Sequence, residues 1–353
     1  MAVADELRAS GAEVSFLGTR ERIEAELVPA AGYEIDFVKV RGIDRRNPLR
    51  AARAGFEALG AVGAASKVLR RRGAEAVVGG GGFVAGPAGL AAVMTRTPLV
   101  LTEADSHLGL ANRLLAGRAR RVCLAFPIEG REGDRYRVTG RPVPRAVLDG
   151  DRAAARERFA IAADARCLLV FGGSQGAKSI NLAAVKAFAE GPDSAVPGMR
   201  GQVGSRNFHV LHIAGKRDFG EVERRLTAAP HRERYTLLDY EPNLGDALAA
   251  ADLVLARSGG SIFEVVAVGR PAILVPYPFA TADHQTANAE WMRAVGAASV
   301  IPDVELDAER LRAEVTAVLD DPERLGTMAA SASRLARPDA ARRIADEVLE
   351  AIG

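Results

Sequence analysis

Cysteine is scarce in this sequence: Cys123 and Cys167 are the whole complement. Two thiols cannot build a disulfide framework or a cysteine-based zinc site, which sets aside small secreted scaffolds and zinc ribbons. Aromatic residues make up only 5% of the chain. Single-stranded nucleic-acid platforms stack bases on several rings, so no nucleic-acid partner is expected. Histidine occurs five times, and never before His107. A long clean apolar run is missing as well, because the longest uncharged stretch, Ala76 to Met94, holds six glycines and Pro87. Glycine and proline at that density argue against a bilayer-spanning helix. The opening MAVADELRAS is charged from Asp5 and lacks an apolar core, so no secretory signal is expected.

What is present is globular composition, 48% hydrophobic and 26% charged over 353 residues. At about 100–200 residues per domain, that length predicts two domains in a cytosolic protein. Charge is uneven. Residues 1–143 hold 22 basic and 16 acidic residues, a balance of +6, against 25 and 29, or −4, in the remainder. Nine of the basic residues (Arg41, Arg45, Arg46, Arg50, Arg53, Lys67, Arg70, Arg71 and Arg72) fall within 41–72. Apolar residues recur between them at helical spacing, which reads either as a core-facing helix with a solvated basic rim or as a surface for an anionic membrane.

Helical and extended patterns alternate along the chain, the mark of α/β architecture with parallel sheets. Strands are predicted at 13–18, 34–40, 74–79, 98–102, 121–126 and 135–140. After the Arg141-Pro142-Val143-Pro144 linker they recur at 166–171, 209–215, 235–240, 252–256 and 272–277. A long helix is predicted near 48–71 and a short one from Pro87. The expected domains are 1–143, 144–336, and a last amphipathic helix, 337–353, packing back on the first domain. A doubly wound domain opens with a strand and a turn, whereas this chain opens in a helix. Its first strand and loop are expected to be missing, which would leave unpaired backbone and weak transfer chemistry in the first domain.

Three strand-to-helix turns are rich in glycine and suit phosphate. GGGGFVAGP (79–87) contains a weak dinucleotide-type pattern at Gly80, Gly82 and Ala85. GGSQGAKS (172–179) approaches a P-loop, with Ala177 in place of its second glycine. RSGGSIFE (257–264) offers amides and hydroxyls, with Glu264 suited to a ribose diol. FATADHQTANA (279–289) then brings Asp283, His284 and Gln285 to the sheet edge, Gln285 being suited to sugar hydroxyls.

These motifs, together with ELVPAAGYEI (26–35), FGGSQGAKSIN (171–181), RSGGSIFEVVAVGRPAILVPYP (257–278) and DHQTANA (283–289), resemble the MurG family of peptidoglycan synthesis across essentially the whole chain. The resemblance implies a GT-B fold, two doubly wound Rossmann-like domains facing across a cleft. It implies an inverting, metal-independent transferase without a cofactor, moving N-acetylglucosamine (GlcNAc) from UDP-GlcNAc to undecaprenyl-pyrophosphoryl-MurNAc-pentapeptide. The implied setting is peripheral, at the cytoplasmic face of the plasma membrane, on an anionic surface and with cell-wall synthesis proteins as partners. Carried over by position, Ser174 contacts the donor, and Gly260, Ser261, Ile262 and Phe263 line the diphosphate and nucleoside. Glu264 holds the ribose, Gln285 the GlcNAc hydroxyls, and the backbone near Glu241 the uracil. Asp105 falls near the sugar, and Arg145 is the displaced basic residue of the linker.

The family's HEQN-like tetrapeptide reads Thr102-Glu103-Ala104-Asp105 here, Arg141 replaces the linker Asn, and the turn before Glu264 is one residue shorter. With no histidine before His107, Glu103 is the leading base candidate, and Asp105 and His107 are the alternatives. A UDP-GlcNAc 2-epimerase and a catalytically silent sugar-nucleotide or lipid-binding scaffold are the rival readings.

Overall fold

The computed structural model describes residues 1–40, 48–173, 176–191, 208–280 and 283–353, without the side chains of 48–59. It divides into two compact units: Met1–Pro142 with Asp339–Gly353, and Val143–Pro338. No described helix is long and apolar enough to cross a membrane.

Unit 1 runs α1 (Ala2–Ala9), β1 (Ser15–Gly18), α2 (Glu24–Ala30), β2 (Glu34–Phe37), α3 (Pro48–Arg72), β3 (Val77–Gly79), α4 (Gly82–Thr95), β4 (Leu99–Glu103), α5 (Leu110–Leu115), β5 (Arg121–Leu124) and β6 (Tyr136–Val138). Unit 2 continues with α6 (Arg145–Leu148), α7 (Arg152–Arg158), β7 (Arg166–Phe171), α8 (Lys178–Phe188), β8 (Phe208–Ile213), α9 (Phe219–Ala228), β9 (Tyr235–Leu238), α10 (Leu244–Ala250), β10 (Leu253–Ala256), α11 (Ile262–Ala267), β11 (Ala272–Leu274), α12 (His284–Arg293), β12 (Ala298–Val300), α13 (Ala308–Leu319) and α14 (Pro322–Leu335). The last helix, α15 (Ala340–Ile352), belongs to unit 1.

Unit 2 holds one parallel sheet in the order β12-β11-β10-β7-β8-β9. This is the doubly wound order, with its reversal point between β7 and β10. Both strands there are apolar runs with almost no exposed surface, as strands covered by helices on both faces must be. The short edge strand β12 escapes the sequence reading because its three residues carry no periodicity.

Unit 1 is also parallel throughout, but its strands form two pieces, β1-β2 and β3-β4-β5-β6. Val14 and Ala76, just before β1 and β3, pack on one cluster with Leu7, Val100, Ile344 and Val348. Leu17 of β1 packs with Val62, Ala65 and Ala91 of α3 and α4. The two strands therefore share packing neighbours while exchanging no hydrogen bonds, and Val78 in mid-strand is 40% exposed. Helix α15 buries Ile344, Ala345, Val348 and Ala351 against Val100 and Cys123, a period-3.6 stripe.

One reading needs correction. Helix α4 starts at Gly82, and Pro87 lies in its second turn rather than at its start. A proline there forfeits one intrahelical bond, which a helix packed on α3 and α5 tolerates. In the basic segment, Arg71 donates to Asp36 (2.5 Å), and Arg72 donates to Asp36 (2.9 Å) and Glu34. Those two cations thus tie α3 to β2. Arg41, Arg45 and Arg46 lie outside the described residues, as do the side chains of Arg50 and Arg53.

Candidate active site

In unit 2 the reversal point brings together the C-terminal ends of β7 and β10, each followed by a glycine turn and a helix. After β7 the chain makes Gly172 and Gly173, and Gly176-Ala177 leads into α8; Ser174 lies outside the described residues. Gly173 and Gly176 are left-handed, at φ +91° and +78°. A Cβ on Gly172 would stand 2.3 Å from the Ala177 Cβ, so the turn closes tightly on itself.

After β10, Arg257 ties the neighbouring segments together. Its guanidinium donates to Ser179 Oγ (2.9 Å), to the Val275 and Pro276 carbonyls (3.1 Å each) and to Asp303 (2.6 Å). One partly buried planar fork thus links the start of α8, the end of β11 and the turn at 303–305. The fully buried Ser258 donates to the Gln285 carbonyl (2.7 Å), and Asn288 donates to the Ser258 carbonyl (3.0 Å). The Gln285 side-chain oxygen accepts from Tyr277 N–H (3.0 Å), and its amide nitrogen lies 3.8 Å from the Cβ position of Gly259. Gln285 therefore stands against the second turn. Asp283 accepts from Thr286 Oγ1 (2.7 Å) and shapes the entry to α12, where His284 also sits.

The structure separates the predicted residues of the second turn. Gly260, Ser261 and Glu264 are partly accessible, whereas Ile262 and Phe263 are buried, Phe263 against Trp291 with ring centroids 5.4 Å apart. The N–H groups of Ile262 and Phe263 donate to the Gly259 and Gly260 carbonyls at 3.2 and 3.3 Å. The side chains of these two residues form the core side of the turn, and Gly259–Ser261 are its partly accessible part. The reason is the register of α11, whose first bonds close on the turn itself.

The buried carboxylate of Glu241 accepts from Asn243 N–H (2.8 Å) and from Arg158 (2.7 Å), so the side chain braces the loop after β9, while the expectation above concerns the backbone there. Arg145 begins α6 with its side chain 88% exposed.

In unit 1, Glu103 ends β4 and is 8% exposed. One oxygen accepts from Asp105 N–H (3.2 Å), and the other from Gly109 N–H (2.8 Å) and the Asn112 amide (2.9 Å). A carboxylate with three local donors clips its own loop, which presents Asp105 half-buried and His107 exposed. In the glycine turn of unit 1, Gly81 and Gly82 are left-handed, and a Cβ on either meets nothing within 4 Å among the described residues.

Both cysteines are buried, and desolvation pushes their thiols up to about 12, which removes them as nucleophiles. Among the described residues, no group of three or more His, Cys, Asp or Glu side chains is placed to hold a metal ion. Sequence reasoning missed Arg257, Asn288 and the buried Asn181, all of which lie inside or beside the quoted motifs.

Residues 1–124 match the glycosyltransferase family 28 N-terminal domain, and residues 167–344 the family 28 C-terminal domain. The UDP-N-acetylglucosamine–N-acetylmuramyl-(pentapeptide) pyrophosphoryl-undecaprenol N-acetylglucosamine transferase of Pseudomonas fluorescens (strain SBW25) is 40% identical over 354 residues, which is 99% of this chain and 94% of that protein. The crystal structure of Acinetobacter baumannii MurG superposes with a TM-score of 0.76 at 28% identity, covering 99% of this chain and 94% of that one. The UDP-GlcNAc 2-epimerase of Neisseria meningitidis, with a TM-score of 0.68 and 13% identity over 99% and 95% of the two chains, shares the fold alone. The two units are thus the Rossmann-like halves of a GT-B protein, and the chain belongs to glycosyltransferase family 28, within its UDP-GlcNAc–N-acetylmuramyl-(pentapeptide) pyrophosphoryl-undecaprenol N-acetylglucosamine transferases.

Proposed function

We propose that the protein transfers GlcNAc from UDP-GlcNAc to undecaprenyl-pyrophosphoryl-MurNAc-pentapeptide, in the synthesis of peptidoglycan. The observation that carries this reading is the pair of glycine turns flanking the β7/β10 reversal point, braced by Arg257, in a chain related along its whole length to such transferases. The acceptor hydroxyl oxygen attacks the anomeric carbon, the bond from that carbon to the diphosphate oxygen breaks, and UDP leaves with the electron pair. The turn amides at 172–177 and 259–261 are suited to the growing charge on the diphosphate. Glu264 is assigned to the ribose hydroxyls, Gln285 to the GlcNAc hydroxyls and the backbone near Glu241 to the uracil. The departing proton is assigned to the loop clipped by Glu103, which carries Asp105 and His107.

The lipid acceptor is assigned to unit 1, bound at a membrane surface. Supporting this, Leu90 and Met94 of α4 and Leu110 and Leu114 of the contacting α5 are all exposed, Met94 by 66% and Leu114 by 72%. Exposed Arg96, Arg113 and Arg118 lie on the same two elements or just beyond them. Apolar side chains ringed by arginine suit a peripheral seat on anionic lipid.

The test is a transfer assay with purified protein, labelled UDP-GlcNAc and the lipid-linked MurNAc-pentapeptide. Label appearing in the lipid, dependent on acceptor, is the expected result. Label appearing in UDP-N-acetylmannosamine without acceptor would establish an epimerase instead, and donor binding with neither product a silent scaffold.

A further inference from the structure

Three polar side chains lie buried beneath the turn after β7: Asn181 and His212 are 0% exposed and Asp218 is 6% exposed. Asn181 sits in the first turn of α8, and its amide nitrogen donates to the Ala214 carbonyl (2.9 Å) and the Asp218 carboxylate (3.2 Å). Two acceptors on that side fix the amide's orientation, so its oxygen faces His212 Nε2 at 3.0 Å. An amide oxygen only accepts, which assigns the ring proton to Nε2 and leaves Nδ1 bare. Burial pushes the imidazole down to about 3, so the ring is neutral at working pH. Its Nδ1 is buried and, among the described residues, has no hydrogen-bond partner.

The acceptors held by Asn181 are also the floor under Gly176. A Cβ at that left-handed position would stand 2.5 Å from the Ala214 carbonyl oxygen and 2.7 Å from the Asp218 carboxylate. Contact therefore runs without a break from His212 through Asn181 to the Ala214 carbonyl and Asp218, and from these to the turn. Along β8, the neighbours Val210, Leu211 and Ile213 are apolar and buried. A leucine at 212 would leave no orphaned nitrogen, whereas the histidine carries one. What the imidazole adds is the single N–H that the Asn181 oxygen accepts, which holds the amide against the Ala214 carbonyl and Asp218.

We propose that His212 and Asn181 are positioning residues for the sugar-nucleotide donor, holding Gly176 and the first turn of α8 in the shape that receives the diphosphate. This deepens the functional reading above and rests on it. Neither side chain touches the donor; both act through the Ala214 carbonyl, the Asp218 carboxylate and Gly176.

The experiment compares His212→Leu, His212→Gln and the wild type by UDP-GlcNAc calorimetry, steady-state transfer and thermal melting. His212→Leu is expected to raise the donor Kd and KM about tenfold, with kcat within about twofold and the acceptor KM unmoved. His212→Gln keeps an N–H within reach of the Asn181 oxygen and should recover most of that loss. A folded His212→Leu protein with wild-type donor affinity overturns the proposal. So does an equal fall in kcat for both variants with the donor KM unmoved, the pattern of a structural role alone. Should His212→Leu not fold, His212→Gln against His212→Asn, which is too short to reach Asn181, makes the same comparison. A wild type that binds no UDP-GlcNAc overturns the reading of the turn, and the positioning role with it.

Discussion

The two units carry glycine turns of similar composition and different mechanical character. In unit 2 the turn after β7 is closed from below: Gly176 rests on the Ala214 carbonyl and the Asp218 carboxylate, and Gly172 rests on Ala177. In unit 1 no described residue comes within 4 Å of a Cβ placed on Gly81 or Gly82, in the turn after β3. The sheets differ in the same sense, one continuous with six strands, the other in pieces of two and four. Gly176 answers two demands, a left-handed backbone and close approach by neighbouring atoms, while at Gly81 and Gly82 the described residues leave only the backbone demand. A rigid turn can hold donors at fixed places around a diphosphate, which is where catalysis by fixed dipoles needs rigidity.

The sharpest way to break this contrast is acid. His209 and His212, both in unit 2, are pushed down by burial to about 4 and about 3. The unfolded imidazole protonates below about 6.5 while the folded one stays neutral, so the unfolded state binds more protons and stability falls as pH drops through that window. Each histidine should contribute a loss of about 1.4 kcal/mol per pH unit between about 6.5 and its folded value. Unit 1 has only the exposed His107. Urea titrations followed by fluorescence of Trp291, the single tryptophan and a residue of unit 2, should show this slope, and His212→Leu should flatten it. A slope that His212→Leu leaves intact would assign it to other groups.

The glycines provide the next comparison. Gly176→Ala meets both the left-handed penalty of about 1–2 kcal/mol and an overlap costing roughly 1–3 kcal/mol more. Gly81→Ala meets only the first. Denaturant midpoints should separate the two substitutions, and equal losses would show that the turn of unit 2 yields as easily as that of unit 1.

Two carboxylates sharpen the contrast further. Glu264→Ala should weaken UDP-GlcNAc binding by about 1–3 kcal/mol, read by calorimetry. Glu103→Gln should lower the stability of unit 1 yet leave the shape of the pH–rate profile as it is. Loss of the acidic limb of that profile would return Glu103 to the role of base. The smallest effect expected is at the membrane: replacing Arg96, Arg113 and Arg118 with Gln should weaken binding to anionic vesicles by about 1 kcal/mol per residue and leave neutral vesicles unaffected. Identical binding to both vesicle types would make α4 and α5 an ordinary solvated face.

Much of the fold was legible because the strands of a covered parallel sheet are apolar runs bounded by glycine turns. RCLLVF and DLVLA announced β7 and β10, and the turns after them announced the site. Helix α4 was misread from Pro87 because proline marks a helix start more often than a second turn, and β12 was too short to signal. In the candidate site, the motif RSGGSIFE marked a turn after β10 but not which of its side chains face outward, since Ile262 and Phe263 turn into the core with the register of α11. The basic run at 41–72 was visible as charge, yet the pairing of Arg71 and Arg72 with β2 joins residues more than 30 positions apart.

By itself the sequence determined what neighbours along the chain can determine: the alternation of strands and helices, the glycine turns and the family they resemble. It also bounded the chemistry, leaving two buried thiols and few histidines with which to work. Tertiary structure decided what each polar group does. Glu103 is a carboxylate at a strand end, and only the packed loop brings three donors around it. Asn181 and His212 are separated by 31 positions and carry no local pattern, and packing α8 against β8 makes them one network. The physical reason is that backbone preferences act over a few residues, whereas burial, desolvation and hydrogen-bond geometry belong to whichever groups the packed sheet brings within about 3 Å of one another.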